Sequence, residues 1–197
     1  EILGQIKAAY INAKKHDLCG DDIRLAYQQS IVFAKKIHCD TRIGEKPISV
    51  VSLAFRSLLE RNISKDAKML IIGAGQTNHL MANLLVKSGI GNITVYNRTL
   101  SKAEELAARF KNGKAVPFDK LINHTEDVDV ILTCTGANFP VLTKGIFEQI
   151  AHSNKKIIIV DLAVPQDVEQ EIIDTENVDY IDVASLEKKA KENMQFR

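Results

Sequence analysis

The fold is decided by the stretch Met69-Leu70-Ile71-Ile72-Gly73-Ala74-Gly75-Gln76-Thr77-Asn78. Its four consecutive apolar residues predict a short strand that is buried on both faces, as the strands of parallel sheets are. Two glycines end this strand, and the apolar residues Leu80, Leu84 and Leu85 then recur at helical spacing. A strand, a glycine-rich turn and a helix in this order predict a phosphate-binding site, because the first turn of a helix has unpaired N–H groups.

Five further strand-like segments follow the first one, and helical patterns separate several of them. Alternation of this kind predicts βαβ units and a parallel sheet. The predicted fold class is therefore α/β, a Rossmann-type doubly wound parallel sheet preceded by helices. The further strands are predicted at residues 93–96, 115–118, 128–134, 157–160 and 178–181.

Residues 1–46 differ from the rest of the chain in having no strand-like segment. Apolar residues recur there at helical spacing on both sides of a turn at 17–21. We expect a helical remnant of a preceding domain at 1–46, the dinucleotide-binding domain at 47–185 and the start of a further helix at 186–197. Since the sequence begins without Met and within a helical pattern, we expect it to be a piece of a longer protein.

Composition and charge exclude several classes of protein. Hydrophobic residues make up 45% and charged residues 26%, which is typical of a globular protein and not of a disordered one. A formal net charge of +1 gives no field that attracts nucleic acid. No apolar run approaches the roughly 20 residues that a membrane-spanning helix needs. The three cysteines show neither metal-ligand spacing nor the even count of a disulfide framework, which favours a reducing cytoplasm.

The glycine loop is the candidate site for a dinucleotide. The first glycine permits a tight turn, and the second lets the backbone approach the pyrophosphate. Asn78 stands where the fingerprint has a small residue for close helix–strand packing. Two glycines at this spacing also occur in ordinary tight turns, but the strand before them and the helix after them favour the dinucleotide. The predicted cofactor contacts are Gly73, Ala74, Gly75, Gln76, Thr77 and Asn78.

The end of the second predicted strand indicates which dinucleotide binds. A site for NAD has a carboxylate there to accept a hydrogen bond from the ribose 2′-hydroxyl, whereas this sequence has Asn97-Arg98-Thr99. Arg98 offers a planar fork that pairs with a 2′-phosphate, and Thr99 and Lys102 offer further donors. The same residues are compatible with a solvated turn in which Thr99 caps a helix. We predict NADPH as the cofactor, bound here by Asn97, Arg98, Thr99 and Lys102.

Two further segments end predicted strands at the same edge of the sheet. Thr135 and Gly136 follow the fourth strand, where ligands of open α/β sheets bind, and we predict that both contact the nicotinamide side of the cofactor. An ordinary strand-ending glycine explains Gly136 equally well. The segment 161–165 ends the fifth strand, and we expect it to lie at the same edge.

Five phrases of the sequence resemble, in order and spacing, those of glutamyl-tRNA reductases. The glycine loop and the segment 97–99 are shared with shikimate dehydrogenases, whereas the phrases at 2–7 and 161–165 are more specific. Asn78 and Gln166 depart from the family's pattern, in which glycine and arginine are usual. The five phrases are ILGQIK at 2–7, SVVS at 49–52, GAG at 73–75, NRT at 97–99 and DLAVP at 161–165.

The resemblance implies an activity and a cofactor. Glutamyl-tRNA reductases use NADPH to reduce glutamyl-tRNA to glutamate-1-semialdehyde, the first step of tetrapyrrole (porphyrin) biosynthesis, through a thioester on a cysteine. The resemblance places that cysteine in a domain before this chain, so residues 1–46 would be the remnant of the catalytic domain and the chain alone would be inactive. It also implies that Glu1 and Gln5 bind the glutamyl group and that the full-length enzyme is a homodimer.

Cys19, Cys39 and Cys134 do not match the family's nucleophile, and we expect them to act as small apolar residues. The five histidines lie apart, so no metal site is predicted. Two other functions stay open. A shikimate-dehydrogenase-like oxidoreductase would share the nucleotide motifs, but residues 1–46 do not fit it, and its lysine–aspartate pair is not found in the expected context. A non-catalytic NADP-binding module would need no nucleophile.

Overall fold

The computed structural model describes residues 2–41, 50–151 and 155–188. The chain divides into two compact units, residues 1–46 and 47–197. The first unit contains two helices, α1 (Ile2–Lys15) and α2 (Asp21–Thr41), which a short turn connects. The rings of Tyr10 and Tyr27 stack with their centroids 4.0 Å apart, and this contact joins the two helices.

The second unit contains a six-stranded sheet in which all neighbouring strands are parallel. The strand order is β3-β2-β1-β4-β5-β6, so the order of the strands reverses at β1 and β4. This is the order of the doubly wound dinucleotide-binding fold, and the predicted Rossmann-type fold is confirmed. The strands are β1 (Met69–Ile72), β2 (Ile93–Asn97), β3 (Lys114–Pro117), β4 (Val130–Thr133), β5 (Ile157–Asp161) and β6 (Val178–Asp182).

Helices cover both faces of the sheet. Successive residues of a strand point to opposite faces, and β1 accordingly places Met69 and Ile71 in one apolar cluster and Leu70 and Ile72 in the other. All four side chains are at most 2% exposed, which explains why β1 is apolar without alternation. The first cluster includes residues of α3 (Val50–Leu59), α4 (Gln76–Lys87) and α5 (Leu100–Ala107), and the second includes residues of a 3-10 helix (Phe118–Asn123), α6 (Lys144–Ile150) and α7 (Gln170–Ile173).

Some predicted boundaries are wrong. The strand predicted at 128–134 is longer than β4, and Cys134 lies just past the end of that strand. The helix that apolar periodicity extends to Phe110 ends at Ala107. The chain turns back there so closely that a Cβ atom on Gly113 would overlap the Ala107 carbonyl oxygen. Because the turn itself buries Phe110, an apolar residue at helical spacing lies beyond the end of the helix.

The ends of the second unit are described only in part. Residues 183–188 are helical, whereas 189–197, and with them most of the helix predicted at 186–197, lie outside the described residues. Pro47, which suits the first turn of a helix and predicts a helix start there, also lies outside them. The proposed domain limits therefore remain predictions. Within the described ranges, no helix has both the length and the apolar character to cross a bilayer.

Candidate dinucleotide-binding site

The glycine loop between β1 and α4 is held by the ends of two neighbouring strands. Gly73 has a φ of 95°, and its N–H donates to the carbonyl of Tyr96 at the end of β2, 2.8 Å away. On the other side, a Cβ atom on Gly73 would lie 2.5 Å from the carbonyl oxygen of Cys134. Both the backbone conformation and the space therefore require glycine at this position.

Gly75 occupies a different environment from Gly73. It is the N-cap residue of α4, it is exposed, and a Cβ atom there would have no neighbour within 4 Å. No side chain caps the helix, and among the described residues no acceptor is found for the N–H groups of Gly75, Gln76 and Thr77. An open helix amino terminus with three unpaired N–H groups is suited to a phosphate.

Asn78 takes part in the turn that precedes it. Its side chain is 1% exposed, and its Nδ2 donates to the carbonyls of Ile72 (3.1 Å) and Gly73 (2.8 Å). Its Oδ1 has no hydrogen-bond partner among the described residues. The asparagine at the third fingerprint position thus joins the first turn of α4 to the end of β1, and its amide faces the protein.

Asn97 joins the glycine loop to the loop that follows β2. Its Oδ1 accepts a hydrogen bond from the N–H of Ala74 at 3.1 Å, and its Nδ2 donates to the carbonyl of Thr99 at 2.8 Å. The Ala74 N–H is therefore used within the protein. The amide of Asn97 is likewise engaged on both sides, so this side chain holds two loops in register with each other.

The cations predicted to bind a 2′-phosphate lie in the loop that Asn97 holds and in the first turn of the helix that follows it, α5. Arg98 and Lys102 are exposed, and neither forms an ion pair with any described residue. Thr99 occupies the N-cap position of α5, but its side chain makes no capping hydrogen bond. The arrangement leaves a guanidinium, an ammonium and a hydroxyl group open to solvent beside the glycine loop.

The segment after β4 lies directly against the glycine loop. The Cγ2 methyl group of Thr135 is 3.2 Å from the point that a Cβ atom on Gly73 would occupy. The Thr135 hydroxyl and N–H both donate to the carboxylate of Asp167, at 2.6 Å and 2.7 Å. Gly136 is exposed, and a Cβ atom there would have no neighbour within 4 Å.

Sequence reasoning placed the segment after β5 at this edge but gave no role to Asp167, which is fully buried. The N–H of Asp167 donates to Asp161 at 2.8 Å, and Asp161 also accepts from the Ala163 N–H at 2.9 Å and the Tyr180 hydroxyl at 3.1 Å. Burial raises the pKa of the Asp161 carboxyl above its ordinary value, although the two N–H donors oppose the shift. Two aspartates six residues apart after a buried strand were the available signal.

The thiol of Cys134 also faces this region from the end of β4. It donates to the carbonyl of Leu162 at 3.4 Å. Burial raises the pKa of the Cys134 thiol, so the reactive thiolate form is disfavoured. Cys19 is a partly exposed free thiol of the first unit, and the side chain of Cys39 lies outside the described ones.

The structure brings the predicted cofactor residues together at the carboxyl ends of three adjacent strands, β2, β1 and β4. Of the two predicted substrate residues, Gln5 is exposed on α1 and Glu1 lies outside the described residues. No group of three histidine, cysteine or acidic side chains within the described ranges is placed to hold a metal ion.

A cavity of about 250 Å³ lies at the opposite, amino edge of the sheet. Its lining includes Lys68, Asn92 and His124. Ligands of open α/β sheets bind outside the carboxyl ends of the strands, so this cavity is not the place for the dinucleotide. The candidate site is instead the open surface formed by the glycine loop and the loops after β2 and β4.

The chain is similar to known proteins over part or all of its length. Residues 57–189, more than half of the chain, match the family model described as Shikimate / quinate 5-dehydrogenase. The whole chain is 36% identical over 202 residues to the glutamyl-tRNA reductase of Nitrosococcus oceani, and 36% identical over 201 residues to that of Methylococcus capsulatus. It covers 47% of each, so the chain spans about half the length of the curated relatives it matches.

Solved structures show the same relationship. The glutamyl-tRNA reductase from Methanopyrus kandleri matches with a TM-score of 0.65 and 32% identity, over 98% of this chain and 49% of that one. The nucleotide-binding domain of the Thermoplasma volcanium enzyme matches 77% of this chain over 98% of its own length, with a TM-score of 0.57. At 19% identity the second match shows the fold alone. The chain therefore belongs to the Shikimate / quinate 5-dehydrogenase family, and along its whole length it is similar to glutamyl-tRNA reductases.

Proposed function

We propose that this chain is the NADPH-binding part of a glutamyl-tRNA reductase, which reduces glutamyl-tRNA to glutamate-1-semialdehyde in the first step of tetrapyrrole biosynthesis. The observation that carries the proposal is one juxtaposition at the ends of adjacent strands. Among the residues that the structure describes, three N–H groups at the start of α4 have no acceptor, and the guanidinium of Arg98 on the loop after β2 has no ion-pair partner. The N–H groups offer a site for a pyrophosphate, and the guanidinium of Arg98 offers a site for a further phosphate on the adenosine.

The described residues fit the cofactor in both parts. The N–H groups of Gly75, Gln76 and Thr77 would hold the pyrophosphate, and the open space beside Gly75 admits it. Arg98 and Lys102 would hold the 2′-phosphate, with the Thr99 hydroxyl as a further donor. Gly73, Ala74, Asn78 and Asn97 serve the site by shaping these loops, since the N–H groups of Gly73 and Ala74 and the side-chain NH2 groups of Asn78 and Asn97 donate within the protein.

The nicotinamide end would lie beside Thr135 and Gly136, because this loop touches the glycine loop and Gly136 is open to solvent. When bound, NADPH supplies the hydride for the reduction. The contribution of this chain is to bind and orient the dinucleotide. The half-buried Cys134, whose thiol pKa is raised, is unsuited to act as the nucleophile, which the family resemblance assigns to a preceding domain.

Three further parts of the proposal rest on the homologous reductases. Residues 1–46 would belong to the catalytic domain, with Glu1 and Gln5 at the glutamyl-binding pocket. Glutamyl-tRNA would be the substrate, and the complete enzyme would be a homodimer in the cytoplasm. In the complete reductase, Gln5→Ala should raise KM for glutamyl-tRNA and leave KM for NADPH unchanged, and an unchanged KM for glutamyl-tRNA would remove Gln5 from the pocket.

Calorimetric titration of the chain with NADPH and NADH tests the cofactor site. We expect NADPH to bind more tightly, and Arg98→Ala to raise its Kd about 10- to 100-fold, as the loss of a charge-assisted fork predicts. The Kd for NADH should not change in this variant. Arg56→Ala is the matched control, because it removes an exposed guanidinium on α3 with the same change in net charge.

Two results would overturn the proposed cofactor site. Wild-type chain that binds neither nucleotide would show that this surface is not a dinucleotide site. Equal weakening of NADPH and NADH by Arg98→Ala, or a similar loss in Arg56→Ala, would show that Arg98 does not contact a 2′-phosphate.

A further inference from the structure

Asp167 follows β5, yet its carboxylate bonds only to the end of β4. Its Oδ2 accepts from the Thr133 hydroxyl at 2.6 Å and from the Thr135 N–H at 2.7 Å. Its Oδ1 accepts from the Thr135 hydroxyl at 2.6 Å. Burying a carboxylate is costly unless its oxygens are fully hydrogen-bonded, and here three short donors meet a side chain with no exposed surface.

These bonds determine how Thr135 lies against the glycine loop. Its hydroxyl faces Asp167 and also accepts from the Ala137 N–H at 3.2 Å. Its methyl group consequently faces Gly73 and lies 3.2 Å from the point that a Cβ atom on that glycine would occupy. Thr135 is thus fixed between a buried carboxylate and the first glycine of the loop, and Gly136 begins the exposed segment beyond it.

A second carboxylate fixes Asp167 in turn. Asp161 accepts the N–H of Asp167 and the hydroxyl of Tyr180, which lies on β6. The hydrogen bonds therefore run from Tyr180 through Asp161 and Asp167 to Thr135. They cross the ends of β6, β5 and β4 and stop at the loop beside Gly73. Among the described residues, no hydrogen bond of this network reaches the loop that carries Arg98.

On the basis of the proposed NADPH site, we propose that Asp167 is a positioning residue for the nicotinamide half of the cofactor. It acts through Thr135, whose orientation sets the course of the segment 135–137 past the glycine loop. The adenosine half is held separately, by the loop that Asn97 joins to Ala74. Loss of the Asp167 carboxylate should therefore weaken the binding of one half of the dinucleotide and not of the other.

The test is to titrate Asp167→Asn with NADPH and with adenosine 2′,5′-bisphosphate, which carries the 2′-phosphate but no nicotinamide. The carboxamide keeps the shape of the side chain but places a donor where three donors converge. We expect the Kd for NADPH to rise about tenfold, as the loss of one charge-assisted hydrogen bond predicts, and the Kd for the bisphosphate to stay within about twofold. Thr135→Val, which keeps the shape and removes the hydroxyl, should show the same selective loss.

Asp129→Asn is the matched control, because Asp129 is a carboxylate at the amino edge that accepts the N–H of Lys68. It should bind both ligands like the wild type. Equal weakening of both ligands in Asp167→Asn and Thr135→Val, or no weakening of NADPH, overturns the inference while the proposed function stands. If Asp167→Asn does not fold, Thr135→Val alone decides. Wild-type chain that binds neither ligand overturns the proposed function itself, and the inference with it.

Discussion

The segments before the strands and the segment after β2 carry charge in opposite ways. On the amino side, Asp129 pairs with Lys155, Glu126 with Lys114, and Asp179 with Arg61. After β2, by contrast, Arg98 in the loop and Lys102 at the start of α5 are exposed and form no ion pair with the described residues. The difference indicates that the amino-side charges stabilise the fold, whereas these two cations are left for an anion that the protein does not supply.

The carboxyl side adds a second distinction, between groups that shape the site and groups that face solvent. The shaping groups, such as the amides of Asn78 and Asn97 and the carboxylate of Asp167, are bonded to the backbone of a neighbouring loop. The groups that face solvent are the N–H groups at the start of α4 and the cations after β2. Variants of the shaping groups should therefore lower the free energy of unfolding, whereas variants of the solvent-facing groups should weaken cofactor binding and leave stability nearly unchanged.

The largest effect is expected from Gly73→Ala. The φ of 95° disfavours any side chain, and the new Cβ atom would lie 2.5 Å from the Cys134 carbonyl oxygen. We expect the free energy of unfolding to fall by at least about 2 kcal/mol and NADPH binding to be lost, as measured by urea denaturation and calorimetry.

Gly75→Ala adds the same methyl group two residues later and is the control. Because that position is open, its free energy of unfolding should stay within about 0.5 kcal/mol of the wild type while NADPH binds more weakly. If both variants unfold alike, the two glycines do not have the separate roles described here.

A smaller effect is expected from Asn78→Ala. The substitution removes the donors to the carbonyls of Ile72 and Gly73 and leaves these buried acceptors without that partner. We expect the free energy of unfolding to fall by about 1–3 kcal/mol, because unsatisfied buried polar groups are costly. Urea denaturation measures the change. A variant as stable as the wild type would mean that the amide of Asn78 does not hold the turn.

Asn78 and Asp167 show where the sequence ceases to be informative. The run from Met69 to Ile72 predicts its strand because every residue is buried, and the glycine loop follows from its neighbours in sequence. The sequence predicts Asn78 as a cofactor contact that departs from the usual small residue, whereas its hydrogen bonds to two backbone carbonyls leave no trace in the periodicity. The spacing of Asp167 from Asp161 does not reveal its role, since its partners Thr133 and Thr135 lie 34 and 32 residues earlier in the chain.

Asn97 lies between these two cases. The sequence placed it at the end of β2 next to the glycine loop, which the structure bears out in position. Its amide bonds to Ala74, 23 residues away, and to Thr99, and this pairing depends on how β1 and β2 align in the sheet. Motif spacing thus indicates which residues surround a site. Only the tertiary structure shows which of them are free to bind a ligand and which hold the loops of the site in place.

On the amino side, Arg61→Ala should reduce stability without changing binding. The guanidinium of Arg61 contacts both oxygens of Asp179, at 2.8 Å and 2.7 Å, and the carbonyl of Ser57 at 2.8 Å. We expect the free energy of unfolding to fall by about 1–2 kcal/mol, because hydrogen bonds between charged and partly buried groups are lost. Arg56→Ala, also on the α3 side but exposed, should change it by less than about 0.5 kcal/mol. A change in the Kd for NADPH would contradict the separation of the two sides.

The smallest expected effect is a difference in how stability depends on pH. It compares the carboxylate of Asp129 on the amino side with that of Asp161 on the carboxyl side. Burial opposes the ionisation of Asp129, but the hydrogen bonds from Lys155 and from the Lys68 N–H outweigh it, so the pKa of Asp129 lies below its ordinary value. At acid pH the unfolded chain then binds more protons at this residue than the folded one. The stabilisation from Asp129 is present above about pH 4 and is lost as the pH falls through the folded-state pKa.

For Asp161 the sign is reversed, because burial raises its folded-state pKa. The folded chain holds this proton more tightly, so the contribution of Asp161 to stability declines as the pH rises from about 4 through the folded-state pKa. We compare the free energy of unfolding of the wild type with that of Asp129→Asn. As the pH rises from about 3 to 6, the wild type minus the variant should grow by about 0.2–1 kcal/mol, as for a partly exposed ion pair. The same difference for Asp161→Asn should shrink as the pH rises. Urea denaturation at each pH measures both stability differences. If the two differences change with pH in the same direction, the predicted contrast between Asp129 and Asp161 is wrong.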